Sequence, residues 1–166
     1  AAVILEKSID KKSGILNFKH QMYVEGIRAA EIPGGHIRKW VKDYKYDPKI
    51  HHFQMDSRNL LRLTLKYLPE FIHDFFKDTG TSWPEVSWTV PHQASKTGLN
   101  MIPKIAKVDP DQVVNILRET GNCISASIPM GIHKLMSEEK LKKGETLFIC
   151  GTSAGFSIGS LLYIHD

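Results

Sequence analysis

The first fifty residues contain two short stretches with strand-like patterning, followed by a long irregular segment. Residues 1–8 (AAVILEKS) begin with five apolar residues and predict a buried strand. A polar turn at 10–14 separates them from 15–24, where apolar and polar positions roughly alternate, so together they predict a β-hairpin. Residues 26–47 have no regular period and predict a long surface or pocket-covering loop, with a short helix near Ile37–Val41.

A long helix is predicted after Met55, where apolar residues recur with helical spacing over about 20 residues. Asp56 or Ser57 is a suitable N-cap, because a short polar side chain can accept from the free N–H groups of the first turn. Pro69 is expected to kink the helix, and Gly80 is a suitable C-cap.

The rest of the chain alternates strands and helices. A strand to Val90 precedes a helix to about Lys107, and a second helix opens near Cys123 and runs to about Met136. Residues 113–117 read as a strand, although 109–114 (DPDQVV) could also begin with a helical turn. Two last strands, at 146–150 and 156–164, flank a turn of small residues at 151–155. This alternation predicts an α/β layered domain.

Composition is that of an ordinary globular domain. The chain has 166 residues, 42% of them hydrophobic and 24% charged, which is enough for one domain with a real core. The formal net charge of +4 is mild, and no zinc-finger, helix-turn-helix or RNA-recognition signature is present, so no nucleic-acid partner is predicted. No apolar run approaches 18 residues, so no membrane is predicted either. Two cysteines without a CxxC pair favour a reducing cytoplasm over a disulfide framework.

A metal site is not predicted. His51 and His52 are adjacent, and adjacent side chains point in opposite directions along a strand, so they cannot easily hold one ion.

Three breaks at predicted strand ends carry small or polar residues: His92-Gln93, Gly121-Asn122 and 151–155. A neutral histidine and an asparagine amide could donate to one carbonyl oxygen and so stabilise an enolate or oxyanion, with backbone N–H groups of the glycine-rich turn nearby. An ordinary reading stays open, in which His92 caps a helix, Asn122 occupies a left-handed turn and the glycines make a tight turn.

Three motifs follow one another in the second half of the chain: PHQAS at 91–95, GNCISASIP at 121–129 and GFSIGS at 155–160. They resemble PHQAN, GNTSAASxP and GGGFTWGS in the C-terminal half of the β-ketoacyl-acyl-carrier-protein synthase III family. The resemblance implies a thiolase-like layered α/β fold, with residues 1–50 as the tail end of the N-terminal half and 51–166 as the C-terminal domain, a mixed sheet covered by helices.

That family uses a Cys–His–Asn triad to join an acyl-CoA starter to malonyl-acyl-carrier protein with loss of CO₂. By resemblance His92 and Asn122 stabilise the thioester enolate, and the backbone N–H of Ala154 donates to the acyl-enzyme oxyanion. No cofactor is implied, because coenzyme A and the phosphopantetheine of acyl carrier protein carry the substrates. A homodimer is implied for the full-length protein. Cys123 stands where the family usually has threonine and Cys150 lies in an apolar strand, so neither is predicted to be the nucleophile.

Further positions follow from the resemblance. Substrate or pantetheine contacts are expected at a set of polar side chains, namely Ser57, Gln93, Ser95 and Thr152. Docking of acidic acyl carrier protein is expected at Arg62, Lys96 and Lys104, with an ordinary solvated helix face as the open alternative. Ser95 replaces the last asparagine of PHQAN, Ala154 a glycine and Ile158 a tryptophan, which suggests a divergent branch.

Three functions stay open. The chain starts without methionine in a strand-like run at Ala1, so we expect a fragment that lacks the nucleophile and forms no acyl-enzyme alone. The first function is a condensing enzyme of fatty-acid synthesis. The second is a starter-unit acyltransferase or non-decarboxylating relative in secondary metabolism. The third is a catalytically inactive partner subunit.

Overall fold

A computed structural model describes residues 1–9, 12–35, 47–80 and 85–166. Within these ranges the strands and α-helices are β1 Gly14–Met22, β2 Ala30–Glu31, β3 Gln54–Met55, α1 Ser57–Thr79, β4 Trp88–Pro91, α2 Lys96–Ala106, α3 Leu117–Thr120, α4 Ser127–Ser137, β5 Thr146–Ser153 and β6 Ser157–Ile164. Single 3₁₀ turns occupy Val24–Gly26, Pro33–Gly35, Pro48–His51, Pro110–Gln112 and Ile124–Ala126.

The main sheet has four strands in the order β1-β6-β5-β4. β4 and β5 are parallel, whereas β6 is antiparallel to both β5 and β1, so the sheet is mixed as predicted. β2 and β3 form a separate two-stranded ribbon. The parallel pairing places Pro91 beside Cys150, which brings the segment after β4 next to the second half of β5.

Helix α1 covers one face of the sheet. Asp56 caps it by accepting a hydrogen bond from the Asn59 N–H at 3.0 Å, and Gly80 ends it with φ +66°. The helix is continuous through Pro69. Its apolar stripe is buried against the sheet, and the Phe75 and Phe76 rings lie 5.5 and 5.1 Å from the Phe148 ring. The aromatic stripe is therefore core.

Helix α4 belongs to a second apolar cluster, on strands β4 and β5. Leu135 of α4 is buried with Val90 and Leu147 of these strands. A Cβ added at Gly131 would lie 3.1 Å from Val90 Cγ1, so the absence of a side chain there lets the helix approach the sheet closely. This close packing fixes the axis of α4, whose first turn follows the Gly121–Asn122 break.

The predicted N-terminal hairpin is wrong. Residues 1–8 form no strand, and Ile4 is 93% exposed. β1 is present as expected, but it pairs with β6 at the far end of the chain rather than with residues 1–8. The alternation in 15–24 correctly predicted a strand, but this pattern alone does not show which other strand pairs with it. The sheet therefore takes strands from both sides of the predicted boundary at residue 50.

Residues 113–117 are not a strand. A capped 3₁₀ turn at Pro110–Gln112 precedes them, and α3 begins at Leu117. One isolated bridge joins Thr89 to Val113. The helical-turn alternative for this stretch is thus confirmed. Val114 and Ile116 are buried. The Val114 N–H donates to the Thr89 carbonyl of β4, whereas the Val114 carbonyl and the Ile116 N–H are bonded by the Gln93 side chain.

The predicted turn at 151–155 is shorter than expected. β5 continues to Ser153, so the turn of small residues narrows to Ala154–Phe156.

The helix expected near Ile37–Val41 lies outside the described residues. None of the helices in the described ranges is both long and apolar enough to cross a bilayer.

Candidate active site at the end of strand β4

His92 follows β4 directly and is held against β5. Its backbone N–H donates to the Cys150 carbonyl at 2.8 Å, which extends the parallel pairing by one residue. A Cβ added at Gly151 would come within 3.1 Å of His92 Cβ, so the glycine makes room for the histidine. His92 does not cap α2; Ser95 does, by accepting from the Gly98 N–H at 3.1 Å. The helix-cap reading of His92 is therefore wrong.

The imidazole of His92 is half-buried. Burial lowers the pKa of the ring below its ordinary value of 6.5 and outweighs a hydrogen bond with the backbone of Ile124, which raises the pKa. The ring is therefore neutral at pH 7 and carries one N–H. Because the hydrogen bond with Ile124 raises the pKa, the ring donates in it, and an enolate oxygen has to displace the Ile124 backbone to receive this N–H.

Asn122 lies in the turn between α3 and α4. Gly121 adopts φ +67°, and the Asn122 Oδ1 accepts from the Ile124 N–H at 2.9 Å. The side chain is exposed. Because Oδ1 is engaged, the groups that Asn122 presents to a substrate are its Nδ2 donors.

Ile124 connects the two predicted catalytic side chains. Its backbone contacts the His92 ring and its N–H holds the Asn122 amide. It has φ +52°, a region that a β-branched residue seldom occupies, so the surrounding hydrogen bonds hold a strained conformation. Sequence reasoning missed Ile124, because its contribution comes from the backbone and its side chain, 76% exposed, gives no signal.

The last predicted donor, Ala154, is in the turn between β5 and β6. Its φ is not in the left-handed region, unlike those of Gly155 (+72°) and Phe156 (+47°), so a Cβ at Ala154 creates no backbone strain. Phe156 is fully buried, and its carbonyl accepts from the Tyr23 N–H at 3.0 Å. The turn is thus anchored to the segment after β1.

Gln93 and Ser95 have structural roles in the described geometry. The Gln93 side chain is completely buried and its amide is bonded to backbone groups, so it has no surface with which to contact a pantetheine arm. Ser95 is exposed but uses its hydroxyl as the α2 N-cap. The pantetheine contact expected of Gln93 is not possible here.

The other predicted contacts lie on nearby elements. Ser57 is the exposed first residue of α1, and Thr152 is half-buried in β5. The docking candidates Arg62, Lys96 and Lys104 are exposed on α1 and α2, which pack against each other. Arg62 donates from Nη2 to Asn59 Oδ1 at 2.9 Å.

Neither cysteine resembles an activated nucleophile. Burial raises the pKa of the Cys150 thiol to about 12, which leaves the thiol protonated and unreactive at neutral pH. Cys123 is half-buried, and its thiol donates to the Thr120 carbonyl at 3.2 Å.

Other features of the described part of the chain lie apart from these donors. A surface groove lined by Trp88, Gln112 and Glu145 sits at the amino end of β4, away from His92. Among residues 1–9, 12–35, 47–80 and 85–166, no cluster of His, Cys, Asp and Glu suits a metal ion.

Comparison with known families gives one match of direct relevance. Residues 76–164 match the model described as 3-oxoacyl-[acyl-carrier-protein (ACP)] synthase III C terminal. The chain is 30% identical over 113 residues to a beta-ketoacyl-[acyl-carrier-protein] synthase III of Agrobacterium fabrum, covering 68% of this chain and 35% of the relative. It is 26% identical over 162 residues to the protein of that name from Koribacter versatilis, covering 97% and 49%. The chain thus spans about half the length or less of these relatives.

The fold has close counterparts among solved structures. The crystal structure of 3-oxoacyl-[acyl-carrier-protein] synthase III from Aquifex aeolicus superposes with a TM-score of 0.79 at 21% identity, covering 96% of this chain and 46% of that one. The likeness confirms the predicted thiolase-like architecture, a mixed sheet covered by helices.

Proposed function

Because the chain belongs to the 3-oxoacyl-[acyl-carrier-protein] synthase III C-terminal family, we propose that it supplies the enolate-stabilising half of a condensing active site. The proposed reaction joins an acyl-CoA starter to malonyl-acyl-carrier protein with loss of CO₂, in fatty-acid biosynthesis. One observation carries the proposal: His92, directly after β4, and Asn122, in the turn after α3, are both hydrogen-bonded to the backbone of Ile124.

The proposed chemistry begins with the malonyl thioester. Its carboxylate C–C bond breaks, CO₂ leaves, and the electron pair becomes an enolate whose oxygen accepts from the His92 ring N–H and Asn122 Nδ2. The enolate carbon then attacks the thioester carbonyl of the acyl-enzyme, whose oxygen accepts from the Ala154 N–H. The carbonyl re-forms and the enzyme thiolate leaves.

The acyl-accepting thiol is proposed to lie outside these 166 residues. The inert Cys150 and the hydrogen-bonded Cys123 support this, and the chain alone is then expected to form no acyl-enzyme. The native protein is proposed to be a cytoplasmic homodimer that uses no cofactor beyond the carriers of its substrates.

Docking of acyl carrier protein is proposed on the exposed basic residues of α1 and α2, namely Arg62, Lys96 and Lys104. A basic surface suits an acidic partner, because long-range attraction raises the rate of encounter. Ser57 and Thr152 remain proposed contacts for the pantetheine arm.

The proposed reaction is tested by incubating the native protein with an acyl-CoA and malonyl-acyl-carrier protein. We expect 3-oxoacyl-acyl-carrier protein and CO₂ to form in equal amounts, because each condensation releases one carboxylate. Separately labelled malonyl carbons allow both products to be counted. Product without CO₂ would exclude a decarboxylating mechanism, and no product of either kind would support an inactive partner subunit.

A further inference from the structure

Gln93 is the one fully buried amide side chain in the described part of the chain. Nε2 donates to the Pro91 carbonyl at 2.9 Å and to the Val114 carbonyl at 3.0 Å, and Oε1 accepts from the Ile116 N–H at 2.9 Å. Both N–H groups and the oxygen are thus used. A buried polar side chain satisfied in this way stabilises one arrangement of the backbones it joins, because any other leaves polar groups without partners.

The two backbones that Gln93 joins are those that precede the proposed catalytic residues. Pro91 is the last residue of β4 and precedes His92. Val114 and Ile116 belong to the segment that leads into α3, which runs beside β4 through a Val114 N–H to Thr89 carbonyl bond of 2.9 Å. No neighbouring strand bonds Ile116 N–H, so the Gln93 side chain takes that place.

A short series of bonds carries the position of Ile116 to Asn122. The Ile116 carbonyl accepts from the Thr120 N–H at 3.0 Å and from the Thr120 hydroxyl at 3.1 Å. Gly121 follows immediately, its N–H bonded to the Leu117 carbonyl at 2.9 Å. Only the short, internally bonded helix α3 therefore separates Asn122 from Ile116, whose backbone N–H the Gln93 side chain binds.

We propose that Gln93 is a positioning residue that fixes the Asn122 turn relative to His92, so that both donors meet the same enolate oxygen. The inference rests on the proposed function for its catalytic consequence. The motif implied that Gln93 contacts pantetheine. The proposed role is instead a clamp, meaning that the Gln93 side chain holds the backbone of Pro91 to that of Val114 and Ile116. A misplacement of about 1 Å in such a site can cost about 10²-fold in rate.

The test replaces Gln93 by methionine, which keeps the volume and removes all three hydrogen bonds. In the native protein we expect kcat for CO₂ release from malonyl-acyl-carrier protein to fall about 10- to 100-fold, with KM within about twofold of wild type. The NMR signals of the His92 ring, read with selectively labelled histidine, should also shift, because the ring loses its fixed contact with Ile124.

The matched control is Gln112→Met. Gln112 also bonds backbone groups, accepting from the Asp109 N–H at 3.2 Å and donating to the Val86 carbonyl at 3.4 Å, but at the opposite end of the same segment. Its loss should lower the melting temperature and leave kcat, KM and the His92 signals unchanged. Q93E serves if Q93M does not fold. A protonated carboxyl has only one donor, so either the Pro91 or the Val114 carbonyl loses its partner, and we expect a smaller but measurable fall in kcat.

The outcomes separate this inference from the proposed function. Unchanged kcat and His92 signals in folded Q93M or Q93E, while His92→Ala strongly slows CO₂ release, would overturn the positioning role alone. Shifted His92 signals in a protein whose CO₂ release does not depend on His92 would support the clamp and overturn the proposed function. A fall in kcat equal in Q93M and Q112M would reduce Gln93 to general stability and overturn the positioning role.

Discussion

Replacing His92 by alanine is expected to slow CO₂ release from malonyl-acyl-carrier protein by about 10²- to 10³-fold. The variant loses an N–H donor that burial keeps neutral and that the backbone of Ile124 orients. A donor aimed at developing charge acts on the transition state, so the reduction should appear in kcat. Release of labelled CO₂ at saturating substrate measures it directly.

His133→Ala is the control for this substitution. His133 is an exposed histidine on α4. H133A therefore removes the same type of side chain at a position other than the proposed donors. CO₂ release by H133A should match that of wild type. If H92A also released CO₂ at the wild-type rate, His92 would have no part in enolate formation.

Replacing Gly26 by alanine is expected to lower the free energy of unfolding by about 3 kcal/mol. The added Cβ would lie 2.1 Å from Phe156 Cβ and 3.0 Å from Leu63 Cδ1, and neither a Cβ nor a fully buried leucine can move aside easily. The turn at Ala154–Phe156 must shift instead. The substitution should therefore also slow acyl transfer, which depends on the proposed Ala154 donor.

Gly159→Ala controls for the addition of a methyl group. Its Cβ would meet only His20 Cδ2, at 3.5 Å, an ordinary contact. Denaturant unfolding of G159A should agree with wild type within about 0.5 kcal/mol. Equal stability of G26A and G159A would show that the Gly26–Phe156 approach is not as tight as described.

Local patterns in the sequence predicted local structure well. The helical spacing after Met55, with Asp56 before it and Gly80 after it, corresponds to α1 and both of its caps. These features depend on residues close together in the chain, whose periodicity and capping chemistry are visible in sequence. Of the three predicted strand-end breaks, His92-Gln93 follows strand β4 as expected, whereas Gly121-Asn122 follows helix α3 and the third is shortened because β5 continues to Ser153.

The sequence did not predict which distant strands pair or which backbone conformations occur. β1 has the alternation of a strand, but nothing in residues 15–24 identifies β6 as its neighbour. Gln93 is polar within a motif, and only the fold shows that its amide replaces a strand for Ile116. The contribution of Ile124 comes from its positive φ angle and its backbone N–H, and the identity of its side chain predicts neither.

The most direct test of the central claim is the CO₂-release rate of the His92→Ala/Asn122→Ala double variant beside the two single variants. Donors that stabilise one enolate oxygen as a unit have non-additive effects, because removing either already disables the unit. The double variant is therefore predicted to be about as slow as the slower single variant. Reductions that multiply, or single variants that keep the wild-type rate, would contradict a shared enolate site at His92 and Asn122.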